Sequence, residues 1–283
     1  MAIVIIAVAT VAQTDPPDPD GVNIARLADG KPQPFTAAGV TFNMIPLTGG
    51  IIGDALVVIT SFYMGETEVT RKLYDAVMKY SGNGGSQYSD VSLSSVWVSS
   101  NTPSYPNDPV GNPSNRAQNN VSWYDAIVFC NRLSIILGKT PVYSGSGAAS
   151  DLLNAAARPT SSHADWNAIT QNLSANGFRL PTVTEWAFAV HGGQEIRTYA
   201  SGEQYFHWRR SADDIGIFDM RYSVLEFCWD WHSLLHDYYG VNPTGPASGS
   251  ERVYQGGRRG KLPPNKRESD IGFRIVSTHV DVE

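Results

Sequence analysis

The sequence predicts an α+β domain, and three observations support this prediction. Short strand patterns and short helical patterns are mixed along the 283 residues, without the strand–helix–strand rhythm of a parallel sheet. The chain has 26 Gly and 17 Pro, a composition typical of short elements joined by many turns. It has no internal repeat of fixed period, so a solenoid or a propeller is not indicated.

We expect the N-terminal segment 1–34 to lie outside the domain, which we place at 35–283. Its first residues, MAIVIIAVATVAQ, are apolar but too short to span a bilayer, and they lack the basic start of a secretory signal. They fit a strand and a remnant of processing equally well. The following TDPPDPDG is interpreted as a linker, because its prolines exclude helix and central strand.

The first part of the domain is predicted to be strand-rich. Residues 35–58 form a strand pattern interrupted by glycines, and SFYMG continues it. Thr70 is a residue type that caps helices, and it predicts a first helix over 71–80 with one apolar face. Residues 81–118 are rich in Ser, Gly, Asn and Pro, which predicts long loops.

The clearest helix follows in the segment NNVSWYDAIVFCNRLSIILG. Ser122 is the expected N-cap, Asp125 completes a variant of the capping box, and Gly138 ends the helix. A short extended piece is expected at 141–143. Residues 144–176 are predicted to be loop with short helical pieces.

A third helix and three strands complete the predicted elements. Thr182 stands three residues before Glu185, a capping box that predicts a helix over 185–191. The stretches VLEFCWDW, RVYQGG and IGFRIVSTHV are predicted strands. In the last of these, alternate residues from Ile271 to Ile275 are expected to point inward.

Charge and cysteine content narrow the function classes. The net charge of −6 and a pI near 5.5 argue against a general binder of nucleic acid or of anionic membranes. Cys130 and Cys228 lack the CxxC spacing of a structural zinc site. Two free buried thiols and one disulfide both remain open for them.

Other residues that bear chemistry are better explained as structural. His232 and His236 have the i,i+4 spacing of a metal pair, but the surrounding HEXXH context is absent, so we predict no metal site. Glu226 and Asp230 flank aromatic residues and could act as an acid and a base. We interpret both as satisfied structural acids of a strand.

Eight motifs then occur in order: SFYMGETEVT, NNVSWYDAIVFCNRLS, NGFRLPTVTEWAFAV, IGIFDM, EFCWDW, NPTGP, RVYQGG and IGFRIV. Together they resemble the formylglycine-generating-enzyme, or sulfatase-modifying factor, domain over about residues 42–276. The resemblance implies a C-type lectin-like fold with two main helices, small antiparallel sheets and many loops. It also implies structural roles for Arg179, Glu185 and Trp186. It implies no cofactor. A structural calcium or magnesium ion remains open, because some relatives bind one.

The same resemblance implies a test of catalysis. Formylglycine-generating enzymes carry a copper-binding cysteine pair before the GFR motif, whereas the matching stretch here, RRGKLPPNKRESDIGFR, contains no cysteine. The related sulfoxide synthases need an N-terminal helical domain with an iron-binding histidine motif, which is not evident here. We therefore expect a protein that is not an enzyme, with an oxidase that uses an unusual site as the alternative.

Departures from the family pattern concentrate in a region at about 205–260. The family's DMSGNVWEWCWDW reads DMRYSVLEFCWDW here, and two arginines replace the end of RGGSW. This distribution resembles the variable proteins of diversity-generating retroelements, of the treponemal type, whose binding face is rewritten at adenine-rich codons. The substituted residues are all reachable from such codons. The expected ligand-binding residues are His207, Arg209, Arg210, Arg221, Tyr222, Ser223, Leu225, Phe227, His232, Ser233, Leu234, Leu235, His236, Arg258 and Arg259.

The sequence therefore predicts a ligand-binding protein of receptor or adhesin type. Tyrosine and arginine are enriched in binding hot spots, which favours a macromolecular ligand, in the first place a protein. We expect a bacterial monomer that is displayed at the cell surface or secreted, including a lipid-anchored outer-membrane form. We expect no nucleic acid partner, and membrane association only through an N-terminal anchor. The alternative is a carbohydrate-binding module that uses Trp208, Trp229 and Trp231, although the WDW motif is expected in the core.

Overall fold

The computed structural model describes residues 31–52, 57–80, 113–193, 212, 215–233 and 238–278, and the backbone of 197–198 and 204–205. Within these residues lie four helices: α1 (Arg71–Met78), α2 (Trp123–Ile136), α3 (Ala164–Asn167) and α4 (Val183–Val190). Short 3-10 turns lie at 113–115, 147–149 and 155–157. The first 30 residues and 81–112, where we expected a linker and long loops, lie outside the described residues.

The strands in the described ranges are short. They are β1 (Gln33–Ala37), β2 (Val40–Leu47), β3 (Gly50–Ile52), β4 (Val57–Ile59), β5 (Phe62–Gly65), β6 (Tyr143–Ser144), β7 (Thr170–Gln171), β8 (Phe178–Arg179), β9 (Arg197–Thr198), β10 (Gln204–Tyr205), β11 (Leu225–Trp231), β12 (Gly240–Val241), β13 (Arg252–Gln255), β14 (Gly260–Leu262), β15 (Ile271–Gly272) and β16 (Val276–Thr278). They form small sheets, and the mixture of these sheets with helices confirms the predicted α+β class.

The largest sheet has the order β1-β2-β5-β16-β8 and is antiparallel throughout. It begins with a hairpin in which Ala37 pairs with Val40. The two turn residues, Ala38 and Gly39, have φ values of 47° and 79°. Positive φ at both positions matches the right-handed twist of the flanking strands. The first strand thus begins at Gln33, within the segment that we expected to be linker.

A second sheet, of order β14-β13-β11-β15, forms the centre of the C-terminal part. All seven residues of β11 are buried. Its alternate side chains enter two apolar clusters, with Phe227 and Trp229 in one and Cys228 in the other. A strand that packs on both faces reads as a continuous apolar run, which explains why VLEFCWDW was readable from sequence.

The three predicted N-caps are confirmed by their hydrogen bonds, although α4 starts at Val183, two residues before the predicted 185. Thr70 Oγ1 accepts from Leu73 N at 3.2 Å. The capping boxes at the N-termini of α2 and α4 both form in full, in each case with the predicted carboxylate returning to the backbone N–H of the cap. Capping uses contacts three residues apart, so the sequence alone specifies it.

The predicted final strand is wrong in one respect. Residues 271–278 form two strands, β15 and β16, which belong to different sheets. The residues between them, Phe273 to Ile275, are all buried, and so is the Arg274 side chain that alternation would have exposed. The chain crosses here from one sheet to the other, and the crossing buries every side chain along it.

Two pairs of buried charges in the core connect distant elements. Arg274 donates to Glu226 Oε1 at 2.9 Å and to the Gly65 carbonyl at 2.8 Å. Glu226 also accepts from Trp186 Nε1 at 2.8 Å. Arg179 and Glu185 form a two-bond pair at 2.6 and 2.7 Å. Glu226 and the residues of the FRLPT–EW motif are thus part of the packed core.

Candidate functional site

Two segments with substituted residues meet at one end of the central sheet. β11 and β13 are antiparallel, with Glu226 opposite Gln255. The residues that precede β11, from Arg221 on, therefore lie beside the residues that follow β13, up to Arg258. More than 30 positions separate these segments along the chain, and the strand register brings them together.

Two glycines make this close approach feasible. A Cβ on Gly257 would lie 2.8 Å from the carbonyl oxygen of Arg221. Gly256 has φ 149°, and a Cβ there would lie 2.9 Å from Leu225 Cδ2. Side chains larger than hydrogen would push the two segments apart, because real Cβ contacts are not this short.

A third segment completes the site. Leu225 N donates to the carbonyl oxygen of Asp270 at 2.8 Å, and β11 runs parallel to β15 from this point. The side chain of Asp270 accepts from Arg258 Nη2 at 3.0 Å. The three strand ends enclose an open depression of about 300 Å³. It is lined by Arg221, Tyr222, Ser223, Val224, Leu225, Gly257, Arg258 and Asp270.

The depression has an apolar floor and a polar, exposed rim. Val224 and Leu225 are almost completely buried and form the floor. Tyr222 on the rim exposes 76% of its surface, the largest fraction among the exposed large apolar and aromatic residues of the described chain. The Arg258 guanidinium lies 5.8 Å from the centre of the Tyr254 ring, a cation–π distance. The large side chains of Tyr222 and Arg258 thus stand on the rim of a preformed depression.

Backbone and charge add two features to the segment before β11. Asp219 and Ser223 have φ values of 61° and 72°, in the left-handed region that is unfavourable for a residue such as serine. Burial, and then the positive charge of Arg221, lower the pKa of His191 to about 4.

Five predicted site residues line this depression, and three other described ones lie elsewhere on the surface. Arg259 is exposed, and its Nη2 lies 3.5 Å from the Tyr238 hydroxyl. His232 and Ser233 are half-buried at the opposite end of β11. Seven residues of extended chain, on the order of 20 Å, separate that end from Leu225.

Phe227 is one of the expected ligand-binding residues, and its position in the structure excludes that role. Its side chain is completely buried in the first apolar cluster, where β11 pairs with Tyr254 of β13. A ligand cannot reach it, so the expectation that it contacts ligand is wrong. Six further expected residues lie outside the described residues: His207, Arg209, Arg210, Leu234, Leu235 and His236.

Sequence reasoning missed Gly257 and Asp270 as parts of the site. The double glycine after β13 was a usable signal, because consecutive glycines often mark a close backbone approach. Asp270 had no such signal. Its position depends on the pairing of β15 with β11, which joins residues 46 positions apart.

The WDW motif is structural, as expected. Trp229 and Trp231 are buried, and with Trp123 they surround the guanidinium of the buried Arg252. Its Cζ lies 3.7 Å from the Trp123 ring centre and 3.4 Å from that of Trp231. These indoles therefore have no free face for a sugar, and Trp208 lies outside the described residues.

The residues present do not fit copper-dependent oxidation. Cys130 on α2 and Cys228 on β11 are free and buried, and they do not pair with each other. Burial raises the pKa of both thiols, which disfavours the thiolate that copper requires. In the part of the chain that the structure describes, no group of three or more His, Cys, Asp or Glu side chains is placed to hold a metal ion.

Comparisons with known proteins identify the family and the fold. A family model described as "Sulfatase-modifying factor enzyme 1-like domain" matches residues 53–211. A protein of Paenibacillus barcinonensis, "Chaperone protein LppX", is 26% identical over 79% of this chain and 82% of its own length. The formylglycine-generating enzyme of Streptomyces coelicolor is 28% identical over 46% of this chain and 56% of its own length.

Among solved structures, Treponema denticola variable protein 1 superposes with a TM-score of 0.63 at 26% identity, and covers 88% of this chain and 99% of its own. Within the described residues, no helix combines the length and the apolar character needed to cross a membrane.

Proposed function

Because the chain belongs to the sulfatase-modifying factor enzyme 1-like domain family, we propose that it is a non-catalytic member that binds a protein ligand. Its α+β fold, with few helices, several small sheets and much loop, is the fold that the motifs implied. The binding surface consists of the depression at the start of β11, its rim, and Arg259 beside it.

One observation carries this proposal. Residues that depart from the family pattern in two separate segments, 221–225 and 258, line a single depression. Random drift over a surface would not be expected to gather at one hollow with an apolar floor and an exposed tyrosine. Such hollows are typical of sites where a few large residues provide most of the binding energy.

The relatives support the non-catalytic reading. The fold of Treponema denticola variable protein 1 superposes on 88% of this chain, with a TM-score of 0.63. Another relative, 26% identical over 79% of this chain, is named as a chaperone protein. Buried thiols at Cys130 and Cys228 supply no copper ligands, so the chemistry of the enzymes in this family has no place here.

In this proposal the protein is a bacterial receptor or adhesin that acts as a monomer. It is either displayed at the cell surface through an N-terminal anchor or secreted. Its site is diversified by a retroelement, so that different variants bind different ligands. The net charge of −6 agrees with a partner other than nucleic acid. A rigid scaffold favours diversification, because exposed rim residues can be substituted without disturbing the packing of the core.

Sequencing the locus across a population tests the proposal. We expect substitutions at the codons of the rim residues Arg221, Tyr222 and Arg258, and an adenine-bearing template copy beside a reverse transcriptase gene. Phe227 is the matched control, because its buried side chain must stay apolar. Substitutions spread evenly over the domain, or a template without adenines at the rim codons, would contradict diversification.

An oxidase with an unusual site is the second candidate, favoured by the 28% identity to the Streptomyces enzyme. Incubation with a cysteine-containing sulfatase peptide, copper and oxygen distinguishes the two. We expect no formylglycine by mass spectrometry. Turnover that survives in a variant without Cys130 and Cys228 would contradict the non-catalytic proposal.

A further inference from the structure

The chemistry of the depression indicates the kind of partner, if the proposed binding function holds. We propose that the site takes a protein segment that presents a carboxylate group beside one large apolar side chain. The apolar side chain enters the hollow over Leu225, and the carboxylate group meets the arginines of the rim.

Positive charge is concentrated here on a protein that is acidic overall. Arg221 and Arg258 line the depression, and Arg259 is exposed beside it. Asp270 is the single acid among the lining residues. Counted over the lining residues alone, the balance is one positive charge, whereas the whole chain carries −6. Fields of exposed charges decay over about 8–10 Å at physiological salt, so a short ligand segment meets the local charge.

The pairing of Arg258 with Asp270 leaves the guanidinium accessible to a ligand. Both side chains are more than half exposed, at 63% and 55%. Exposed ion pairs of this kind contribute little, because water and salt screen them. A guanidinium has five N–H donors, and Asp270 is bonded to Nη2 alone. The planar fork of arginine is well matched to a second carboxylate.

The apolar half of the site selects one side chain. Val224 and Leu225 form a small floor, and the exposed Tyr222 ring stands at its edge. Aromatic and aliphatic anchors that fill such hollows are the usual centre of a protein interface. A volume of about 300 Å³ accommodates one residue of leucine or phenylalanine size.

A protein segment fits better than a long polyanion. Nucleic acid or an anionic membrane would extend beyond the arginines and meet the net negative charge of the rest of the protein. Neither presents a single apolar side chain to the floor. The combination of floor and arginines is therefore specific to an acidic, partly apolar peptide segment.

Selection from a phage-displayed random peptide library tests this. The baits are the wild-type chain, the charge-reversed Arg221→Glu/Arg258→Glu variant, and Lys72→Glu as a control on the exposed face of α1. We expect wild type and Lys72→Glu to enrich peptides with Asp or Glu next to an aromatic or aliphatic residue. The charge-reversed variant should enrich Lys and Arg instead, and should bind the wild-type peptides at least roughly tenfold more weakly.

Tyr222→Ala separates the two ways of failing. Peptides that lose binding in Tyr222→Ala but show no acidic excess would overturn this inference and leave the proposed function intact. If every recovered peptide binds the Tyr222→Ala variant as tightly as wild type, the proposed site itself is overturned. Binding of duplex DNA or phosphatidylserine vesicles that the charge-reversed variant loses would overturn the peptide assignment in favour of a polyanion.

Asp270→Asn is a second, independent arm that keeps both arginines. It removes the acid that competes with the ligand carboxylate for Arg258. A selected acidic peptide should bind this variant about two- to fivefold more tightly, the ratio expected for an exposed ion pair. Asp75→Asn, an exposed change on α1, should leave the affinity unchanged. Weaker binding to Asp270→Asn would contradict the proposed role of Arg258.

Discussion

Asp230 is buried in β11, and its Oδ2 accepts from Val183 N at 2.8 Å, at the N-terminus of α4. Within the described part of the chain, its Oδ1 has no hydrogen-bond partner. Burial raises the pKa of this carboxyl group from its ordinary value of 3.8 to about 7. The substitution Asp230→Asn keeps an oxygen for Val183 N and removes the titration.

The raised pKa of Asp230 decides the direction in which the stability of the protein changes with pH. The folded state holds the proton more tightly than the unfolded state, so this group contributes most to stability below pH 3.8. The contribution falls as pH rises from 3.8 to about 7, and is constant above that. One pKa unit corresponds to about 1.4 kcal/mol, which gives a total of about 4 kcal/mol. About 2 kcal/mol of it is lost by pH 5 and nearly all of it by pH 8.

Asp230→Asn should therefore gain stability relative to wild type by about 2–3 kcal/mol between pH 5 and pH 8. Urea denaturation at both pH values and constant ionic strength, followed by tryptophan fluorescence, measures the two free energies of unfolding. Any pH-independent change in the free energy of unfolding caused by the buried amide cancels when the two pH values are compared. Asp75→Asn on the exposed face of α1 is the control and should show no such gain. A difference between Asp230→Asn and wild type that is the same at both pH values would refute the reasoning.

Three further changes have defined outcomes in urea denaturation at pH 7. Asp125→Ala should lower the free energy of unfolding by about 3 kcal/mol, because Arg158 and Arg267 lose their shared buried partner; a loss under 1 kcal/mol would contradict this. Gly257→Ala should lower it by about 1–3 kcal/mol, since the new methyl group meets a backbone carbonyl at 2.8 Å; an unchanged midpoint would show that the segments can separate freely. Ser223→Asn should raise it by about 0.5 kcal/mol, because asparagine tolerates the φ of 72° better than serine; a lower midpoint would rule out backbone strain there.

Local signals in the sequence located most elements of the fold. The cap at Thr70 and the capping boxes at Ser122 and Thr182 set the starts of three helices. The continuous apolar run of β11 identified a strand buried on both sides. The sequence placed one strand over 271–280, where the structure has two within 271–278, because the change of sheet at Phe273 leaves no mark in the pattern of apolar residues.

Sequence predicted five of the residues that line the candidate site and did not predict its shape. Departures from the family pattern pointed to Arg221, Tyr222, Ser223 and Arg258, which the structure brings to one depression. The same reasoning included Phe227, because a substitution in sequence does not reveal which way a side chain points.

By itself, the sequence determined the α+β class, the helix caps, the central strand and the segments in which the departures lie. These depend on contacts within three or four residues, or on patterns along one element. Only the tertiary structure decided that Gly257 lets two segments touch, that Asp270 closes the rim, and that Phe227 is buried. Each of these depends on strand pairing across tens of residues, where the packing of the whole domain selects the register.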